Sequence, residues 1–134
     1  MKNPNELHLT LMNPWFSMEK ANEKLHEYRE IKDYYIRRFI KDKGLQSRAI
    51  DEIKTAGEPS RMLVDAMNDY LATQTDYKFT TYHGALGMCS REKFPERHFD
   101  RKNPKIRIGE GKPEWGAEPG EKYFVITWDL TNNK

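Results

Sequence analysis

The first regular pattern along the chain is Leu7, Leu9 and Leu11 alternating with His8 and Thr10, the period-two signature of a half-buried strand. Asn13 and Pro14 follow as a helix start, a capping side chain ahead of a residue with preset φ. Trp15, Phe16 and Met18 then supply the buried face of a short helix ending near residues 21–22. A polar strand is predicted over residues 25–31, where Leu25, Tyr28 and Ile31 are the positions available for packing. Tyr35, Ile36, Phe39 and Ile40 repeat at helical spacing over residues 33–43, with Asp33 as cap and Gly44 as stop. A second helix is expected over 46–55 with Ala49, Ile50 and Ile53 inward. After the break at Gly57-Glu58-Pro59 comes a third, residues 59–73, with Met62, Leu63, Ala66, Met67, Tyr70 and Leu71 as one stripe. Strands follow at 77–83, 105–108 and 123–128, separated by a polar stretch over 85–103 and by Gly/Pro-rich loops over 109–120. Residues 131–134 are expected to be loose.

Composition narrows the class. The chain has 134 residues, long enough for one domain and one core. With 33% charged residues, 37% hydrophobic residues and a mean hydropathy of −0.97, that core is small and the surface strongly charged. No apolar run approaches a membrane span, and the start lacks the hydrophobic region of a signal peptide. The single cysteine, Cys89, excludes an internal disulfide and fits a reducing cytoplasm. Net charge is only +2 but unevenly spread. Residues 91–107 hold seven Lys/Arg against three Asp/Glu, and residues 108–121 hold four Glu against Lys112 alone. A positive face would favour a polyanion partner; interleaved charges on a solvated surface are the alternative.

The densest polar stretch is Asn22–Lys32, in which six of eleven residues are charged. Lys24, Glu27 and Arg29 stand at i, i+3 and i+5. On a strand Glu27 and Arg29 share one face, with Lys24 on the turn before them. That places a cation, an anion and a fork-shaped cation close together, a recognition site rather than a core strand; a solvated edge strand is the alternative. The spacing resembles the GxKxxExR signature of the ASCH family, within the PUA-like superfamily. Lys24, Glu27 and Arg29 match it, and Asn22 replaces the glycine. Asn tolerates left-handed backbone, so the turn can survive. An N-terminal strand, a short helix from Asn13-Pro14-Trp15-Phe16 and a C-terminal IGEGKPEWGAEPGEKYFVI complete a layout similar to small, often phage-encoded, ASCH-like proteins.

The resemblance implies a single α+β domain over residues 1–134: a PUA-like small mixed β-barrel with flanking helices, carrying a helical insert at about 44–75. It implies RNA or nucleotide binding in a cleft lined by the motif strand. Arg29 would offer a bidentate fork to phosphate or a base edge, Lys24 a point cation, and Glu27 would orient either. Tyr82 and His83, ending a strand before Gly84, could stack on a base or move a proton. Arg91 and Arg97, interleaved with Phe94 and Phe99, suit single-stranded nucleic acid. Some ASCH-like proteins resemble amidohydrolases of an acylated cytidine, pairing a Lys with a Thr three residues on and a carboxylate from a later strand. Here Lys24 is kept and Glu27 stands at the Thr position, so Glu27 would be the base and Lys24 the oxyanion partner. The later strand offers no matching carboxylate. A ribonuclease variant, with Lys24 or His83 assisting, and a phage-like protein that binds a host factor or a nucleotide signal are further alternatives. No cofactor is implied. Cys89, His83 and His98 match no standard zinc spacing, so no metal site is expected, and the loop at 109–113 is not a Walker loop.

Overall fold

The computed structural model describes residues 5–73 and 79–130. The expected residues 77–78 of the third strand and the tail at 131–134 lie outside them. The fold is α+β. Among the described residues there are four α-helices and two three-stranded sheets, and the strands close no barrel. The chain divides into two compact units. The first comprises Met1–Glu27, Lys78–Lys105 and Ile126–Lys134; the second comprises Tyr28–Tyr77 and Ile106–Val125.

In the first unit, β1 (Glu6–Leu11) runs parallel to β3 (Thr81–Leu86), which pairs antiparallel with β4 (His98–Lys102). Leu7, Leu9 and Leu11 are buried and His8 and Thr10 exposed, as the alternation requires. The register then sorts the whole sheet. Leu7 stands beside Tyr82, and Tyr82 and Gly84 face Arg101 and Phe99. His8 stands beside His83, and His83 and Ala85 face Asp100 and His98. The sheet therefore has an apolar face with Tyr82 and Arg101 in it, and an opposite face carrying histidines and carboxylates. Gly84 permits the apolar packing, since a Cβ there would stand 2.7 Å from Phe99 Cε2.

β4 replaces part of the loop expected over 85–103. Its sequence, His-Phe-Asp-Arg-Lys, has one apolar residue, so no alternation marks it; partners on β3 hold it in place. α1 (Trp15–Lys20) begins one residue later than expected, with Pro14 flanking it, while Asn13 Oδ1 accepts from Ser17 N and Ser17 Oγ at 3.0 and 2.7 Å. It turns Phe16 and Glu19, three residues apart, to one buried face.

The second unit holds α2 (Asp33–Phe39), α3 (Lys43–Ala56) and α4 (Arg61–Thr73). The second sheet, in the order β2 (Glu27–Glu30), β6 (Lys122–Thr127), β5 (Lys105–Glu110), lies largely in it. α2 stops four residues short of expectation. Asp42 caps α3 through Leu45 N at 3.0 Å, which draws Gly44 into the first turn of α3 instead of ending α2. Gly57, at φ +82°, closes α3. The α4 stripe is rotated from expectation. Leu63, Val64 and Met67 are buried, whereas Met62 is 74% exposed. Asn68 holds α4 to β5, donating to Ile108 O at 3.1 Å and accepting from Ile108 N at 2.7 Å. Tyr28 packs on Ala117, Tyr123 and Val125 and accepts from Lys112 N at 3.0 Å, a structural role consistent with its expected turn away from the motif's charged face.

Candidate functional site

The Lys24 cluster lies on the apolar face of the first unit. Asn22 adopts φ +64°, a left-handed conformation that Asn tolerates, and its Oδ1 accepts from Arg101 at 3.1 Å. The turn carries Lys24 inward until it is 2% exposed. Its ammonium donates to Glu19 Oε2 at 2.8 Å, Glu27 Oε1 at 2.8 Å and His26 O at 2.7 Å. Tyr82 Oη donates to Glu19 Oε1 at 2.6 Å. Arg101 donates to the backbone oxygens of Glu19 and Lys20 at 2.9 and 3.1 Å, satisfying the last carbonyls of α1, and lies 4.7 Å from the Phe99 ring.

Two buried carboxylates share one ammonium as direct partner, since Arg101 directs its hydrogen bonds to the α1 carbonyls and Asn22. Full ionisation of both carboxylates is therefore disfavoured. Burial, with the hydrogen bond and charge of Glu27, pushes Glu19 up to about 9, against the opposing pull of Lys24. At neutral pH Glu19 holds a proton and Lys24 and Glu27 form the ion pair. The cluster thus combines a carboxylic acid, a carboxylate and an ammonium, a set suited to proton transfer. Its three ammonium hydrogens have three protein acceptors, so in this state it also fastens the turn between α1 and β2.

A second cluster occupies the opposite face. The paired positions of β3 and β4 place His83 and Asp100 side by side, with His98 one step along. His83 Nδ1 lies 2.8 Å from Asp100 Oδ1, and His83 Nε2 lies 2.8 Å from His98 Nδ1. Gly87, at φ +67°, turns the chain back after β3, and Cys89 Sγ comes to 3.5 Å from His98 Nε2. Arg91 donates to Asp100 Oδ2 at 2.6 Å and lies 3.0 Å from His83 Nδ1. Burial raises the Asp100 pKa, but hydrogen bonds from Arg91 and His83 outweigh it and leave the carboxyl below its ordinary value. Glu6, His83 and Asp100 place ligand atoms within 4.8 Å of one another. The Arg91 guanidinium lies against two of those residues, where it already supplies positive charge.

The sequence-derived residues therefore separate. Lys24, Glu27 and Tyr82 meet on the apolar face, and His83 and Arg91 meet on the other. Arg97 is exposed, its guanidinium 5.3 Å from the Phe94 ring. Arg29 belongs to the second unit, where it donates to Tyr35 Oη at 2.9 Å. Sequence reasoning missed Glu19, Arg101 and Asp100, and it set aside Cys89 with His98 and His83 because their spacing fits no zinc site. Glu19 carried one signal, a charge three residues after Phe16 on the same helix face. The second unit has its own open groove of about 880 Å³ where Glu30 of β2 meets Lys32, Arg61, Asp65, Glu121 and Lys122. Its alternating charges do not single out a polyanion. No helix among the described residues is long and apolar enough to cross a membrane. No family model, curated protein or solved structure matches the chain.

Proposed function

We propose that this chain is an ASCH-like, PUA-like protein that binds single-stranded RNA or a nucleotide. The supporting observation is the exposed edge around Phe94, which is 41% exposed and has the Arg97 guanidinium over its ring. Lys20 joins the same edge by donating to Glu96 O at 2.6 Å, and Lys93 is exposed on the segment. An aromatic face beside several cations receives a stacked base and its flanking phosphates. In this reading Lys24, Glu27 and Tyr82 hold the motif turn in shape, Arg29 and Arg91 extend the polar surface of their own units, and the buried His83 lies behind Arg91. Fluorescence anisotropy with a labelled single-stranded oligoribonucleotide tests it. Phe94→Ala with Arg97→Ala weakens binding about tenfold and lowers the slope of log affinity against log salt by about 1. Unchanged affinity and slope refute the surface.

One observation favours a second reading, a hydrolase of the ASCH type acting on an acylated nucleoside. Glu19 supplies the second carboxylate that the later strand lacks, and it carries a proton beside Lys24 at neutral pH. Mass spectrometry of a modified-nucleoside pool incubated with the intact protein and with Glu27→Gln decides this reading. Loss of an acyl group with the intact protein alone supports it, and identical pools refute it.

A further inference from the structure

The cluster on the polar face of the first unit has the order of a proton relay. Asp100 Oδ1 and Oδ2 face His83 Nδ1 and Arg91, and His83 Nε2 faces His98 Nδ1. The tautomers follow from the end of the chain. Asp100 is ionised, so it accepts a hydrogen from His83 Nδ1 at 2.8 Å; a bare Nδ1 would set two acceptors against each other. Glu6 Oε2, 3.4 Å from the same nitrogen, favours the same choice. Arg91, 3.0 Å from it, opposes that choice as a donor, but two carboxylate oxygens outweigh one guanidinium that is already held by Asp100. With its one ring hydrogen on Nδ1, His83 has a bare Nε2, which accepts from His98 Nδ1–H. That leaves His98 Nε2 bare and aimed at Cys89 Sγ, 3.5 Å away. The thiol hydrogen has one other acceptor, Leu86 O at 3.2 Å.

Burial protects this alignment. His83 is 3% and His98 6% exposed, so water competes weakly for their nitrogens. Cys89 is only half-buried, beside the fully solvated Met88. A reactive atom at the surface, a base behind it and two groups orienting that base form the arrangement by which enzymes activate a thiol.

We propose that Cys89 is a nucleophile for acyl transfer, with His98 as its general base and His83 and Asp100 as positioning residues. The substrate class is an activated acyl group, an ester or a thioester. Sγ attacks the carbonyl carbon as its proton passes to His98 Nε2. The C–S bond forms, the bond to the leaving oxygen or sulfur breaks, and His98 returns the proton to that leaving atom. Water, deprotonated by the bare His98, then adds to the thioester carbonyl. The C–S bond breaks, the acid leaves, and the thiol regains its hydrogen.

The test uses the full chain and 4-nitrophenyl acetate at pH 7, with 4-nitrophenolate release and peptide mass spectrometry locating the acetyl group. Cys89 in the folded protein is expected to be acetylated at least on the order of tenfold faster than the same residue in the urea-unfolded chain, the lower range of general-base assistance. An equal or slower folded rate overturns the proposal. His98→Gln, with its fold checked by circular dichroism, is expected to bring the rate down to that of the unfolded chain; a folded variant keeping the full rate overturns the relay. If His98→Gln does not fold, the Asp100 pair decides. Asp100→Asn slows acetylation and Asp100→Glu restores it, whereas equal rates in both variants and the parent overturn the relay.

Discussion

Replacing Glu19 by glutamine removes one titratable proton from the buried cluster while keeping the side chain's length and shape. Gln can turn its oxygen toward Lys24, which only donates, and its amide toward Tyr82 Oη, which can accept. The informative effect is on pH dependence. Glu19 stands near 9 in the folded protein against 4.5 for an unperturbed side chain. Between those values the native state holds a proton that the unfolded chain has released. Stability from this group is therefore complete below the unfolded value and is lost as pH rises toward the folded one. The slope is about 1.4 kcal/mol per pH unit. From pH 6 to pH 8 the parent protein should lose up to about 3 kcal/mol that Glu19→Gln does not lose. That is a ceiling, because Glu27 shares the proton and Lys24 opposes its retention. The assay is urea unfolding at a series of pH values, followed by tryptophan fluorescence, to which Trp128 contributes from a ring 5.0 Å from that of Tyr82. Subtracting the variant's curve cancels the histidines and other groups common to both. If stabilities of parent and variant run parallel from pH 6 to pH 8, Glu19 is ionised in the native state and the assigned charge pattern of the cluster is wrong.

Two further substitutions probe the same turn. Lys24→Met leaves Glu27 buried without its cation and should cost about 3–5 kcal/mol in thermal or chemical unfolding. Lys24→Met with Glu27→Gln should recover part of that, and a single-variant loss within about 0.5 kcal/mol would contradict a buried ion pair. Asn22→Ala meets the left-handed backbone penalty of about 1–2 kcal/mol and loses the bond from Arg101, whereas Asn22→Gly loses only the bond. Equal destabilisation of the two variants would show that backbone conformation does not set the choice of residue at this position.

Local patterns carried much of the architecture. The leucine alternation of β1, the buried Ala49 and Ile50 of α3, and the turn at Asn22 could be read from neighbouring residues, because each depends on side-chain period or on backbone conformation within a few positions. α4 was legible as a helix, but not the stripe it buries, which takes in Val64 and leaves out Met62. Element ends were less legible: α2 stops at Phe39 because Asp42 offers the next helix a cap, a competition that periodicity alone does not reveal. β4 was not legible, since His98–Lys102 has the composition of a surface loop and becomes a strand by pairing with β3.

The candidate chemistry divides along the same line. Lys24 and Glu27 stood out by spacing, and their meeting is local, three residues apart on one turn. Their partners Glu19, Tyr82 and Arg101 were set by the sheet, which brings residues 63 and 82 positions from Glu19 into bonds with it. Cys89, His83 and His98 failed every sequence spacing for a metal site, yet they do converge. The antiparallel register of β3 and β4, His83 beside Asp100 and Ala85 beside His98, lines up the imidazoles, and the turn at Gly87 returns the thiol to them. A one-residue slip in that register would send His98 and Asp100 to the apolar face. The amino-acid sequence by itself determined which groups are available and which short segments favour a strand, a helix or a turn. Tertiary structure decided which groups meet, because strand register and burial are settled by partners distant in the chain.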